Sequence, residues 1–209
     1  MIENGVRVLY PETKNNHNMK LSVHQPSPLF KTKDVYGSEI DLKKLRGKKV
    51  YLAFERNAGC PVCNLRTHEL LKQSEFFKSN NTTVVMVYES SIEKMKEYLG
   101  NNAYPFHFVA DPQNNLYAQY GVETSVLKFF SSMFNGLMSK VKQGTKLFKK
   151  PIKQDGHLTR IPSEFIIDEN GDLSLVHYGA FIGDHLPLEV LKKNLTDPIL
   201  ARHATALSA

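Results

Sequence analysis

The chain's only two cysteines stand three positions apart, in Cys60-Pro61-Val62-Cys63. Before them runs an apolar stretch, Lys49-Val50-Tyr51-Leu52-Ala53-Phe54, and after them the helix-like Asn64-Leu65-Arg66-Thr67-His68-Glu69-Leu70-Leu71. A C-x-x-C between a strand and a helix points to thiol–disulfide chemistry. The first sulfur lies at the helix start, where unpaired N–H groups and the macrodipole favour an anion. The second faces the same side of the first turn and can close a disulfide on it. Pro61 suits that turn, since its fixed φ is already helical and its missing N–H had no partner there. Two other readings of the pair stay open. Half of a zinc site would need two of the histidines scattered from His17 to His203, none of them in a compact H-x3–5-H spacing. Two inert, buried cysteines are the other.

At 209 residues the chain fits one domain with a substantial core. No apolar run reaches the ~18 residues of a membrane span. The start, Met1-Ile2-Glu3-Asn4-Gly5-Val6-Arg7, has no apolar h-region, so a cytoplasmic location with transiently used thiols is expected.

The order of elements is that of a mixed sheet covered by helices. Residues 1–24 read as irregular, and organised sequence begins near Pro26. Phe30–Val35, turning at Tyr36-Gly37-Ser38, reads as a hairpin, and Ile40–Gly47 as a helical turn ended by glycine. Lys49–Phe54 is a buried strand and Pro61–Lys78 one helix. Thr82–Tyr88 is a central parallel strand, followed by a helix that Ser90 caps with Glu93 as its box partner. A strand at Phe106–Ala110, a short helix at Asn114–Tyr120, a hairpin of Ser163–Asp168 and Leu173–Tyr178, and a helix at Pro187–Asn194 complete a domain of residues 25–196. A loose tail follows over 197–209.

Several blocks resemble the peroxiredoxin-like branch of the alkyl hydroperoxide reductase/thiol-specific antioxidant family, over roughly residues 26–195. They are Asp34-x-x-Gly37 with Asp41-Leu42-x-x-Leu45-x-Gly47-Lys48, then Phe54-x-Arg56-x-x-x-Cys60-Pro61-x-Cys63, then Ala110-Asp111-Pro112 with Tyr120-Gly121-Val122, and finally Pro162 with Phe165-Ile166-Ile167-Asp168-x-x-Gly171. The resemblance implies an α/β thioredoxin-like fold, a mixed central β-sheet flanked by helices. It implies Cys60 as the thiolate that attacks a peroxide O–O bond, Cys63 as the thiol that resolves the sulfenic acid, and Arg56 as the group that holds the thiolate. Substrate contacts are expected from Asn57, Gly59, Pro61, Pro162 and Arg160, with Pro162 in the cis form. For Arg160 a solvated surface position is the alternative. The chain departs from the usual family pattern at Asn57 and Ala53, where threonine and proline are typical. The asparagine amide can still hydrogen-bond a thiolate or peroxide oxygen. His68 lies about two helical turns beyond Cys60, too far for a base, and His107 and His177 read as strand residues with local hydrogen bonds.

The net charge of +6 is concentrated. Between Glu123 and Asp155 there is no acidic residue but there are seven lysines, Lys128, Lys140, Lys142, Lys146, Lys149, Lys150 and Lys153. This basic helical insertion, about 124–158, places Val126, Phe129, Phe130, Met133, Phe134, Leu137, Met138 and Val141 at helical spacing. One reading packs that face on the core or on a partner subunit, as in a homodimer. The sharper one is a membrane-surface contact. No nucleic-acid motif is present.

Three functions are consistent with these residues. The first is a thiol-dependent antioxidant enzyme cycling through a Cys60–Cys63 disulfide, without cofactor or metal, and re-reduced by an external thioredoxin- or glutathione-like thiol. The second is a thiol–disulfide oxidoreductase acting on protein or small disulfides, and the third a redox-sensing or partner-binding domain without catalysis.

Overall fold

A computed structural model of the chain describes residues 20–100, 102–147 and 153–197. Residues 1–19 of the segment expected to be irregular, Lys149, Lys150 and the tail from Pro198 lie outside them. A small antiparallel hairpin, β1 (Lys31–Lys33) and β2 (Glu39–Asp41), leads into a 3-10 turn over Leu42–Leu45. The main sheet follows, built from β3 (Lys49–Phe54), β4 (Thr82–Tyr88), β5 (His107–Ala110), β6 (Ser163–Ile167) and β7 (Leu173–Tyr178) in the order β5-β4-β3-β6-β7. β3, β4 and β5 run parallel, and β6 and β7 antiparallel to their neighbours. The expected mixed sheet is therefore present.

Strand periodicity splits the core into two layers. Tyr51, Ala53 and Met86 face one side, with the thiols and α1 (Pro61–Leu71), α2 (Ser74–Ser79), α3 (Ile92–Leu99) and α7 (Leu188–Thr196). Val50, Leu52, Phe54, Val85 and Val87 face the other, against Leu116, Tyr117 and Tyr120 of α4 (Asn115–Gln119) and its cap. Parallel strands covered on both faces account for the β-branched run in β4. Leu21 N–H donates to the Tyr178 hydroxyl and His24 N–H to the Leu173 carbonyl, so ordered packing on β7 begins before Pro26.

Four expectations change. The single helix over Pro61–Lys78 is two, broken at Lys72-Gln73, and the break turns Phe77 into the core to stack on Tyr51 at 5.9 Å. Ser91, not Ser90, caps α3 by accepting from Lys94 N–H. Ser90 is fully buried and already engaged, accepting from Ala58 N–H at 2.7 Å and donating to Asp155 at 2.5 Å. No peptide bond among the described residues is cis, so Pro162 is trans. Finally, the basic segment is not one helix but α5 (Val126–Phe134) and α6 (Leu137–Thr145), separated at Gly136 with φ +74°. That break redirects the apolar face. Phe129, Leu137 and Val141 pack inward, whereas Val126, Phe130, Met133, Phe134 and Met138 are exposed.

Candidate active site

β3 delivers the chain to the site, and the next six residues form it. Cys60 is the N-cap of α1: its sulfur accepts the Cys63 N–H at 3.3 Å, while its own N–H bonds the Asn57 carbonyl at 3.1 Å. The sulfur thus occupies the place of a capping oxygen, with Pro61 in the first helical turn. Burial pushes the Cys60 thiol up, but the Cys63 thiol, the Arg56 guanidinium and the Cys63 N–H outweigh it and bring it from 9.0 down to about 7. Cys63 shifts the other way: burial first, then the adjacent Cys60, hold it well above the ordinary thiol range. Its sulfur accepts the Arg56 N–H at 3.4 Å. Both thiols are free, so the pair holds one sulfur ready to ionise and one that stays protonated.

Polar groups around the sulfurs are unusually unspent. Arg56 donates from Nη2 to Gln154 Oε1 at 3.1 Å, but its buried Nε has no partner. Asn57 is fully buried and neither side-chain atom of its amide is hydrogen-bonded within the protein. Native proteins rarely leave such groups unsatisfied. Gly59 lies in the turn before Cys60, within the same stretch.

Pro162 and Arg160 are placed differently. The pairing of Phe54 with Ser163 sets Pro162 beside the end of β3, the strand that leads to Cys60. Arg160 is not on the surface, and none of its hydrogen bonds goes to a thiol. Its guanidinium is buried, bonds Glu89 through Nε, the Val122 carbonyl at 2.7 Å and Asn114 at 2.7 Å, and lies 4.6 Å from the Tyr117 ring centroid. Every arm of the fork is engaged, so Arg160 braces the β4–β6 loops. His107 and His177 have the local partners expected of them, Asp34 at 2.8 Å and the Asp184 carbonyl at 3.0 Å.

A second cluster beneath the site is not evident from sequence spacing. Glu164 is fully buried and accepts from Tyr51 at 2.7 Å, Arg66 Nε at 2.9 Å and Leu186 N–H at 2.6 Å. Burial raises its carboxyl, but Arg66 and His185 outweigh that and hold it below the usual range. His185 pairs with the buried Glu55 at 3.3 Å, and although burial favours its neutral ring, Glu55 raises it above the ordinary histidine value. Glu55, Glu164 and His185 come within 4.8 Å of one another, the spacing of metal ligands. Arg66 already supplies the cation for Glu164 at 2.8 Å and stands against a further one, so the set is an ion-pair cluster. Neither cysteine belongs to it. The only sequence sign was a glutamate inside, or directly after, an otherwise apolar strand.

The thiols are closed off. Cys60 is 1 % and Cys63 3 % exposed. α6 lies along α1, and Gly144 sits so close to the Pro61 carbonyl that a Cβ there would overlap it. Lys140 donates to the Gly183 carbonyl at 2.5 Å and pins α6 from the other side. A cavity of about 390 Å³ between α1, Lys140 of α6 and residues 185–188 touches Val62, Leu65, Arg66 and His185, but neither sulfur.

A dithiol at the start of a helix, fed by the central strand of a mixed sheet, defines the class: a thioredoxin-like protein with a two-cysteine site. The AhpC/TSA family model matches residues 23–176, and the chain belongs to that family. Similar proteins include "Peroxiredoxin Q, chloroplastic" of Sedum lineare, 27% identical over 116 residues, 56% of this chain and 62% of that protein. The chain therefore spans less than two thirds of that relative's length. "Putative peroxiredoxin bcp" of Helicobacter pylori is 30% identical over 105 residues, 49% of this chain and 69% of that protein. Among solved structures, Peroxidoxin BcpB from Mycobacterium tuberculosis superposes with a TM-score of 0.60 at 17% identity, covering 83% of this chain and 95% of that one, a likeness of fold. Among the described residues no helix is long and apolar enough to cross a membrane.

The Cys60 ionisation can be read directly. Alkylation of Cys60 by iodoacetamide, small enough for a closed site, is expected to rise with pH through a midpoint near 7. Arg56→Met is expected to move the midpoint upward, because the guanidinium favours the thiolate. A midpoint in the ordinary thiol range for both proteins would refute the assignment.

Proposed function

We propose that the protein reduces hydroperoxides with Cys60 as nucleophile. The observation that carries this is a thiol brought to about 7, beside Arg56, with the buried, unpartnered Asn57 amide in the same turn. The Cys60 thiolate attacks the distal peroxide oxygen and the O–O bond breaks. The alcohol or water leaves with a proton, and Cys60 becomes a sulfenic acid. The Cys63 thiol then condenses with it, forming the Cys60–Cys63 disulfide and releasing water. An external dithiol of the thioredoxin type returns both sulfurs to thiols. Arg56 Nε and the Asn57 amide are the donors available to the developing charge on the peroxide oxygens. Pro61 and Gly59 hold the backbone around them, and Pro162, just before β6, flanks the end of β3. A reducing compartment, the cytoplasm, suits a pair that must be returned to thiols in each cycle.

Burial favours this reading over disulfide exchange for the oxidising step. In the reduced protein, sulfurs 1 % and 3 % exposed admit a small peroxide more readily than a protein disulfide, and the reducing step requires the site to open to its dithiol. Hydrogen peroxide consumption by the reduced protein is expected to exceed that of a free thiol by orders of magnitude and to vanish in Cys60→Ser. In Cys63→Ser the first turnover is expected to survive, leaving a sulfenic acid that dimedone traps. A rate no better than a free thiol's would sink the proposal and leave disulfide exchange.

A further inference from the structure

The helix pair α5–α6 carries a surface that the thiol chemistry does not use. Sequence periodicity suggests that its apolar residues face the core, but the break at Gly136 turns most of them outward. Phe134 is 91% exposed and Leu127 84%, and Phe130, Met133 and Met138 are exposed around them. A single exposed leucine is ordinary, whereas five large apolar side chains on one short helix pair form a patch that marks an interaction site.

Charge identifies the partner. Lys142 on α6 and Lys146 at its C-cap, one turn apart, are exposed, as is Lys153 beyond the helix. No acidic residue occurs between Glu123 and Asp155, so nothing in the segment opposes a negative surface. Lys128 is excluded from this set because it is held by Glu123 at 2.7 Å and by the Gly179 carbonyl at 2.9 Å. A second copy of the chain is a poor fit. An isologous contact through this patch would bring the same lysines of both copies together with no acid to pair them. Protruding aromatic and aliphatic side chains on α5, followed by exposed lysines on and just after α6, match a lipid surface, where the apolar groups enter the headgroup–acyl boundary and the lysines meet anionic headgroups.

We propose that the outer face of α5–α6, with Leu127, Phe130 and Phe134 as its apolar contacts and Lys142 and Lys146 as its charges, docks the protein on an anionic bilayer. This placement does not depend on the peroxidase reading, since it involves neither cysteine.

Vesicle sedimentation with the full chain tests it. The protein is expected to co-sediment with phosphatidylcholine vesicles that contain phosphatidylglycerol, and only weakly with phosphatidylcholine alone. Added salt should reduce binding. The double variants Lys142→Glu/Lys146→Glu and Phe130→Ser/Phe134→Ser are each expected to weaken it by about tenfold or more. Both alter exposed residues outside the thiol site, so their thermal unfolding and thiol alkylation should match the parent. Three results would overturn the proposal: no binding to anionic vesicles, binding that neither variant weakens, or a dimer in light scattering that Phe130→Ser/Phe134→Ser abolishes. Failure of the peroxidase reading appears only in peroxide consumption and leaves sedimentation unchanged.

Discussion

Arg66→Leu is expected to remove about 3–5 kcal/mol of folding stability, measured by chemical denaturation. Arg66 is the cation for a carboxylate in the middle of the sheet, Glu164, itself fully buried. Leucine fills part of the space but leaves that charge with the Tyr51 hydroxyl and the Leu186 N–H as hydrogen-bond donors and only His185, which is shared with Glu55, as a nearby cation. Against a typical domain stability of about 5–15 kcal/mol the loss is large enough to unfold a marginal protein. Glu69→Ala provides the contrast. Its carboxylate is half exposed and 3.9 Å from Arg66, so its removal should cost less than about 1 kcal/mol. Equal effects from the two substitutions would refute the central role of the buried pair. The sign with pH follows. The folded pKa of Glu164 lies below its ordinary value of 4.5, so its stabilisation is present above that value and is lost as pH falls through the folded pKa.

Gly144→Ala is expected to open the site. The added methyl would overlap the Pro61 carbonyl, a backbone atom that cannot swing aside as a side chain does. Overpacking of this kind costs about 1–3 kcal/mol. Alanine also favours the helix itself by about 1 kcal/mol, so α6 should remain helical while losing its seat on α1. The population with exposed thiols should then rise by roughly tenfold or more, seen as faster labelling of Cys60 by a bulky maleimide. Unchanged labelling would show that α6 is not what covers the sulfurs.

Much of the architecture was legible in local patterns. β3, β4 and the β6–β7 hairpin follow from β-branched runs and an Asn-Gly turn, and the helix start at Pro61 follows from the spacing around Cys60. These features depend on residues a few positions apart, where periodicity and capping operate. Boundaries moved where distant packing intervened. Phe77 pulls the helix after Leu71 into a new direction to reach Tyr51 and Phe106. Ser90 is taken from its expected capping role by Ala58 and Asp155. Arg160, expected either at the site or solvated on the surface, is buried against Glu89, because a buried carboxylate recruits the cation within reach.

By itself the sequence determined the fold class and the chemistry it can host. A strand, a Cys-Pro-Val-Cys turn and a helix bring a sulfur to a helix N-terminus whatever surrounds them, because the capping geometry lies within four residues. Only the tertiary structure decided how the sulfurs are poised and guarded. Arg56 meets Gln154, and Arg66 meets Glu164, each across 98 positions of chain, and α6 is set over Pro61 from a still later segment than α1. Charge pairing and burial depend on distance in space, which local spacing does not encode, so the pKa values and the closure of the site arise only once the sheet has brought these segments together.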